Sequence, residues 1–107
     1  MIGLPRRSVI DFRAVAAAAL PSLPVLAKRW LPDGRRVGNE WVARNPVRAD
    51  RRPGSFKVNL RTGRWADFAS GDKGGDAISL AAHLYGLSQL EAARKLAGML
   101  GIEERAP

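Results

Sequence analysis

The chain has 107 residues, with 18 Lys or Arg against 10 Asp or Glu, a formal charge of +8, no cysteine and one histidine. This length fits one domain with one hydrophobic core, and the missing cysteines exclude both a disulfide framework and a zinc site built from the chain's own Cys and His. The charge favours a polyanionic partner, although fourteen arginines and many alanines also fit a GC-rich coding bias.

The placement of charge says more than its sum. Residues 1–30 hold five basic and one acidic residue, 31–68 hold nine and four, and 69–107 hold four and five. Arg6-Arg7 followed by the uncharged stretch 14–27 superficially copies a signal peptide, but Asp11, Arg13, Pro21 and Pro24 interrupt the pattern. No apolar run approaches the roughly 20 residues that span a bilayer. The expectation is a cytoplasmic protein with no membrane partner.

In chain order, Asp11 is the expected N-cap of a helix running to Leu20, and Pro21 the first residue of a second helix ending near Leu31-Pro32. "PDGRR" (32–36) is a turn, after which the chain becomes strand-like. Three strands are predicted: 40–45, then 55–60 with Phe56, Val58 and Leu60 on one face, then 64–68. Arg61 to Gly63 joins the last two as a hairpin with glycine in the left-handed position.

Helices follow. Ile78, Ala81, Ala82 and Tyr85 recur at helical spacing and Gly86 stops that helix. Ser88 with Glu91 predicts a capping box for the next, with Leu90, Ala93, Ala97 and Leu100 as its stripe, Gly101 as its end, and Ile102 packing back. The fold class is therefore α+β: a small antiparallel sheet (35–68) with a C-terminal helical hairpin (75–102), one or two N-terminal helices (1–31), and 103–107 as a tail or linker start. Residues 1–102 form the domain.

The loop "DFASGDKGGDAISL" (67–80) holds three glycines but matches neither the Walker pattern nor G-x-G-x-x-G. Asp76 is placed to cap the helix that follows, so the loop reads as a structural turn. Phosphate contact through Lys73, Gly74 or Gly75 is the alternative. No carboxylate pair or nucleophile beside a base is set by spacing, so no catalytic residue and no cofactor are predicted, and His83 reads as a packing residue. The basic set is the stronger signal. Arg35, Arg36, Arg44, Arg48, Arg51, Arg52, Lys57, Arg61 and Arg64 gather in the sheet segment, and with Lys73 they suggest an electrostatic track for a phosphate backbone. Trp30, Trp41 and Trp65 suit the core, with Trp65, beside Arg64, the expected exception that stacks on bases.

The stretch 45–102 resembles the zinc-binding domain at the N-terminus of bacterial DNA primases, a zinc-ribbon fold. Pro46, Pro53, Ser55, Phe56, Phe68, Gly71, Gly74, Gly75, Asp76, Ala77 and Ile78 stand in matching places. It looks most like the cysteine-free version at the head of primase/helicase polypeptides of prophages and plasmids. The resemblance puts Asn45, Arg48, Asp67 and Ser70 at the four ligand positions, so the zinc role is lost. It further implies a non-catalytic module engaging single-stranded DNA, with Toprim or helicase domains of the same or a neighbouring polypeptide as partners. The alternative is a protein-interaction module that docks onto such a helicase or polymerase domain. If the fold is kept, the four positions converge at one end of the sheet, with an Arg48–Asp67 pair standing where the metal would and Asn45 and Ser70 bonding nearby backbone; the alternative is that Arg48 joins the DNA-facing set and Asp67 caps the following turn.

Overall fold

The computed structural model describes residues 9–47 and 55–102. Arg48, Arg51 and Arg52, and with them the expected Arg48–Asp67 pair, lie outside the described residues.

Helix α1 (Phe12–Ala19) starts where the sequence predicts, with the Asp11 carboxylate accepting from the Ala14 N–H at 3.0 Å. The second helix does not begin at Pro21. A 3-10 turn, Leu20–Ser22, comes first, and α2 spans Leu23–Trp30. Pro21 has no N–H to continue an α-helical ladder, so the tighter turn absorbs the change of direction, while Pro24 sits harmlessly in the first turn of α2.

The sheet has five strands among the described residues, not three: β1 (Arg35–Val37), β2 (Glu40–Ala43), β3 (Phe56–Asn59), β4 (Trp65–Asp67) and β5 (Lys73–Gly74). They form an antiparallel meander in chain order. The β3–β4 turn is the predicted one. Gly63 has φ of 84°, and the Asn59 side chain accepts from the Arg61 and Thr62 N–H groups.

Strand β5 falls inside the glycine loop and pairs Gly74 with Trp65 and Lys73 with Ala66. A Cβ on Gly74 would collide with the Trp65 indole and the Ser79 hydroxyl, so the close approach of these groups requires glycine there. The loop turns a corner and adds an edge strand on the way.

Helices α3 (Ala77–Tyr85) and α4 (Gln89–Leu100) each open with a capping box, Asp76 with Ser79 and Ser88 with Glu91. Gly86 and Gly101 close them in the left-handed conformation, and the Ile102 N–H returns to the Ala97 carbonyl at 2.8 Å. The helices cover one face of the sheet. Phe56, Val58, Leu23, Leu80, Ala93 and Leu96 are buried there, each large side chain contributing roughly 1.5–3 kcal/mol through lost apolar exposure. Among the described residues no helix is long and apolar enough to cross a membrane.

Candidate nucleic-acid interface

Strand pairing sorts the predicted basic residues between two faces. Arg35 pairs with Val42, Val42 with Lys57, Lys57 with Ala66, and Ala66 with Lys73. Side chains in one such row point the same way. The next row, Arg36, Trp41, Val58, Trp65 and Gly74, points the other way, toward the helices. Arg35, Lys57 and Lys73 thus share the open face on alternate strands, about 10 Å apart at the usual strand spacing.

Arg64 joins them. With Lys57, Lys73, Asn59, Glu40 and Phe68 it lines an open groove of about 440 Å³. Phe68 is 71% exposed, and the Lys57 ammonium lies 5.6 Å from its ring centre. Phe68 is absent from the expected site. Strand parity holds the signal: with Trp65 and Asp67 inward, Ala66 and Phe68 must face out.

Other members of the predicted set are placed elsewhere. Trp65 is 5% exposed, and its indole N–H donates to the Ser79 hydroxyl at 2.9 Å. The expectation that it stacks on bases is corrected, because its ring is committed to Phe56 and His83 on the helical side. Arg36 belongs to the opposite face of an edge strand, its Nε bonded to the Gly38 carbonyl at 2.9 Å. Arg44 makes an ion pair with Asp33 at 3.0 Å. Arg61 is exposed in the β3–β4 turn, beyond the groove. Arg51 and Arg52 lie outside the described residues.

At one end of the sheet is a buried polar cluster. Asn45 and Asp67 are 1% and 0% exposed, and the Asn45 Nδ2 donates to the Asp67 carboxylate at 2.9 Å. The same Nδ2 lies 3.1 Å from His83 Nε2. Asn45 Oδ1 accepts from the Val47 N–H and Asp67 Oδ1 from the Ala69 N–H, both at 2.9 Å. Both residues make further interactions. Because Nδ2 donates, Nε2 must accept, and the imidazole proton resides on Nδ1. The His83 ring lies 5.9 Å from Phe56 and 4.8 Å from Trp65, completing an aromatic stack. Ser70 does not join this cluster. It is exposed and bonds the side chain and N–H of Asp72.

No family model matches the chain, and no curated protein matches it. Among solved structures, the crystal structure of the Aquifex aeolicus primase (zinc-binding and RNA polymerase domains) is similar, with a TM-score of 0.74 and 23% identity over 92% of this chain. The chain spans 23% of that one. The likeness is one of fold, and it agrees with the α+β architecture.

Proposed function

We propose that this chain is a non-catalytic nucleic-acid-binding module of a primase-type replication protein, holding single-stranded DNA against the open face of its sheet. The observation that carries this is the groove that Lys57, Arg64 and Lys73 line together with the exposed ring of Phe68. Cations there neutralise phosphates, and a phenyl ring offers a platform on which any base can stack. The likeness to a primase structure and the resemblance of residues 45–102 to primase domains support the same reading. So does the role of the lone histidine, whose ring packs against the core aromatics Phe56 and Trp65.

The zinc of the Aquifex aeolicus protein does not carry over. Structural zinc takes four thiolate, imidazole or carboxylate ligands. The chain has no cysteine, and the described residues hold no group of three or more His, Cys, Asp or Glu that could bind a metal. The buried cluster contributes one imidazole, one carboxylate and one amide whose N–H lies between them. That set does not fit zinc.

Fluorescence anisotropy with labelled single-stranded and duplex DNA, titrated with salt, tests the proposal. Affinity for the single strand should fall steeply as salt rises; no binding at low salt, or binding indifferent to salt, would refute it. Docking onto a helicase or polymerase domain is a second reading, favoured by an apolar groove of Trp30, Tyr85, Leu87, Leu96 and Met99 on the helical side. Lys95 is the charged residue lining it, so its occupant would be an amphipathic helix with an acidic edge. Binding of such a helix by a chain that ignores DNA would support that reading.

A further inference from the structure

We propose that Asn45, Asp67 and His83 form a metal-independent latch that fastens both loops at one end of the sheet to α3, and that the domain holds its fold without zinc. This does not depend on the DNA-binding reading. Strands β2 and β4 are not neighbours, since β3 lies between them. Asn45, two residues past β2, nevertheless reaches Asp67 at the end of β4 and bonds it at 2.9 Å. The same amide meets His83, thirty-eight residues on, in the middle of α3. Three parts of the chain that share no backbone ladder are thereby joined through one side chain. By the primase resemblance, Asn45 and Asp67 stand at the first ligand position of each pair, so a direct hydrogen bond now spans the place a metal would bridge.

Two features make this a built feature rather than a chance contact. Asn45 and Asp67 are buried polar side chains inside an otherwise apolar core. Every buried side-chain polar atom of the described residues is hydrogen-bonded, and Asn45 and Asp67 make further interactions besides these. In such a network each atom has an assigned role, and changing one leaves a buried group facing the wrong partner.

The assignment predicts a specific rescue. In Asn45→Asp, two buried carboxylates would touch. In Asp67→Asn, the new amide cannot accept from both Asn45 Nδ2 and the Ala69 N–H. Combining the two substitutions restores the bond in reverse. The amide placed at position 67 donates to the carboxylate placed at position 45, while its own oxygen still accepts from the Ala69 N–H. The carboxylate at position 45 still accepts from the Val47 N–H, and His83 moves its proton to Nε2 to donate to it.

Thermal melts of the four proteins, with and without chelator, test this. Each single variant should melt roughly 5 °C or more below the parent, the order expected for about 1 kcal/mol in a domain this size. The double variant should recover at least half of the larger loss. Chelator should leave the parent's melting temperature unchanged, and metal analysis should find no stoichiometric zinc. A double variant no more stable than the sum of its singles would overturn the latch, as would single variants that melt like the parent. A parent destabilised by chelator and restored by zinc would overturn metal independence.

Discussion

Lys57 and Phe68 lie diagonally across neighbouring strands, with the ammonium 5.6 Å from the centre of a ring that is 71% exposed. Strand pairing creates the relationship: Lys57 is opposite Ala66, so Phe68 is the next outward residue along β4 and its extension. At such an exposed site the cation–π attraction is small, about 0.5–1 kcal/mol. For the proposed DNA-binding role its consequence is positional, because a base stacked on the ring would bring its phosphate within reach of the ammonium.

Phe68→Ala should therefore weaken single-stranded DNA binding by roughly 1–3 kcal/mol, the range for one stacked base. Its melting temperature should stay close to the parent's, since the ring contributes little to the core. Anisotropy and a melt on the same preparation check both halves; unchanged affinity would remove Phe68 from the site.

Replacing Lys57, Arg64 and Lys73 together by alanine tests the electrostatic track. On a single strand each phosphate contact contributes about 0.7 to the slope of log affinity against log salt. Loss of all these contacts should flatten that slope by about 2, seen by repeating the anisotropy titration over a range of salt. Arg36→Ala is the control, because its side chain belongs to the other face and should leave the slope alone.

Arg44 and Asp33 form an ion pair at 3.0 Å with side chains 42% and 73% exposed. Solvent screening leaves such a pair well under about 1 kcal/mol of stability. Asp33→Asn should barely move the melting temperature, yet it removes a negative charge near the basic face and releases Arg44. Affinity for single-stranded DNA should rise at low salt, and the gain should vanish at high salt.

What could be read from the sequence, and what could not, follows from where hydrophobicity and structure agree. The capping boxes at Asp76 and Ser88, the alternation of Phe56 and Val58, and the hairpin at Gly63 are legible because local chemistry alone determines each. Strand β5 is not, since two residues carry no periodicity and Gly74 is selected by an indole from another strand. β4 misleads for a different reason. In "RWADF" the carboxyl group of Asp67 is buried while the phenyl ring of Phe68 is exposed, the reverse of the hydrophobic expectation, because the Asn45 amide and the Ala69 N–H hydrogen-bond the buried carboxyl oxygens. Trp65 reads as a surface ring beside Arg64, yet an outward Arg64 requires an inward Trp65. The latch can be anticipated only in part, since His83 enters from a helix that no spacing rule links to the sheet.

Glu91 gives a pH prediction whose sign follows from its hydrogen bonds. Donation from the Ser88 N–H, then from the Ser88 side chain, lowers its carboxyl pKa, with Lys95 assisting. A pKa lowered in the folded state means stability that is present above the ordinary carboxylate range and lost as pH falls through it. Glu91→Gln keeps the side-chain acceptor of the capping box but cannot titrate. The melting-temperature gap between parent and Glu91→Gln should be widest near neutral pH and should close on acidification toward pH about 3, below the usual glutamate range. A gap constant across that span would show that the charge of Glu91 adds nothing to its cap.

The glycine loop supplies the last test, a contrast between adjacent residues. Gly74 faces the Trp65 indole and the Ser79 hydroxyl so closely that an added Cβ would overlap both, whereas a Cβ on Gly75 would meet nothing within 4 Å. Neither residue has the positive φ that would itself require glycine. Trp65 is buried against Phe56 and His83 and cannot swing aside without opening the core. Overpacking of this kind costs about 1–3 kcal/mol. Gly74→Ala should therefore lower the melting temperature clearly, while Gly75→Ala should leave it unchanged or slightly raised by restricting the unfolded chain. DNA affinity refines the contrast. If the loop's role is to seat β5 on β4, Gly75→Ala binds like the parent. If Gly75 were a phosphate cradle, the added methyl group would weaken binding while stability held. The structural role of the glycine pair fails if both variants melt normally and both lose DNA binding.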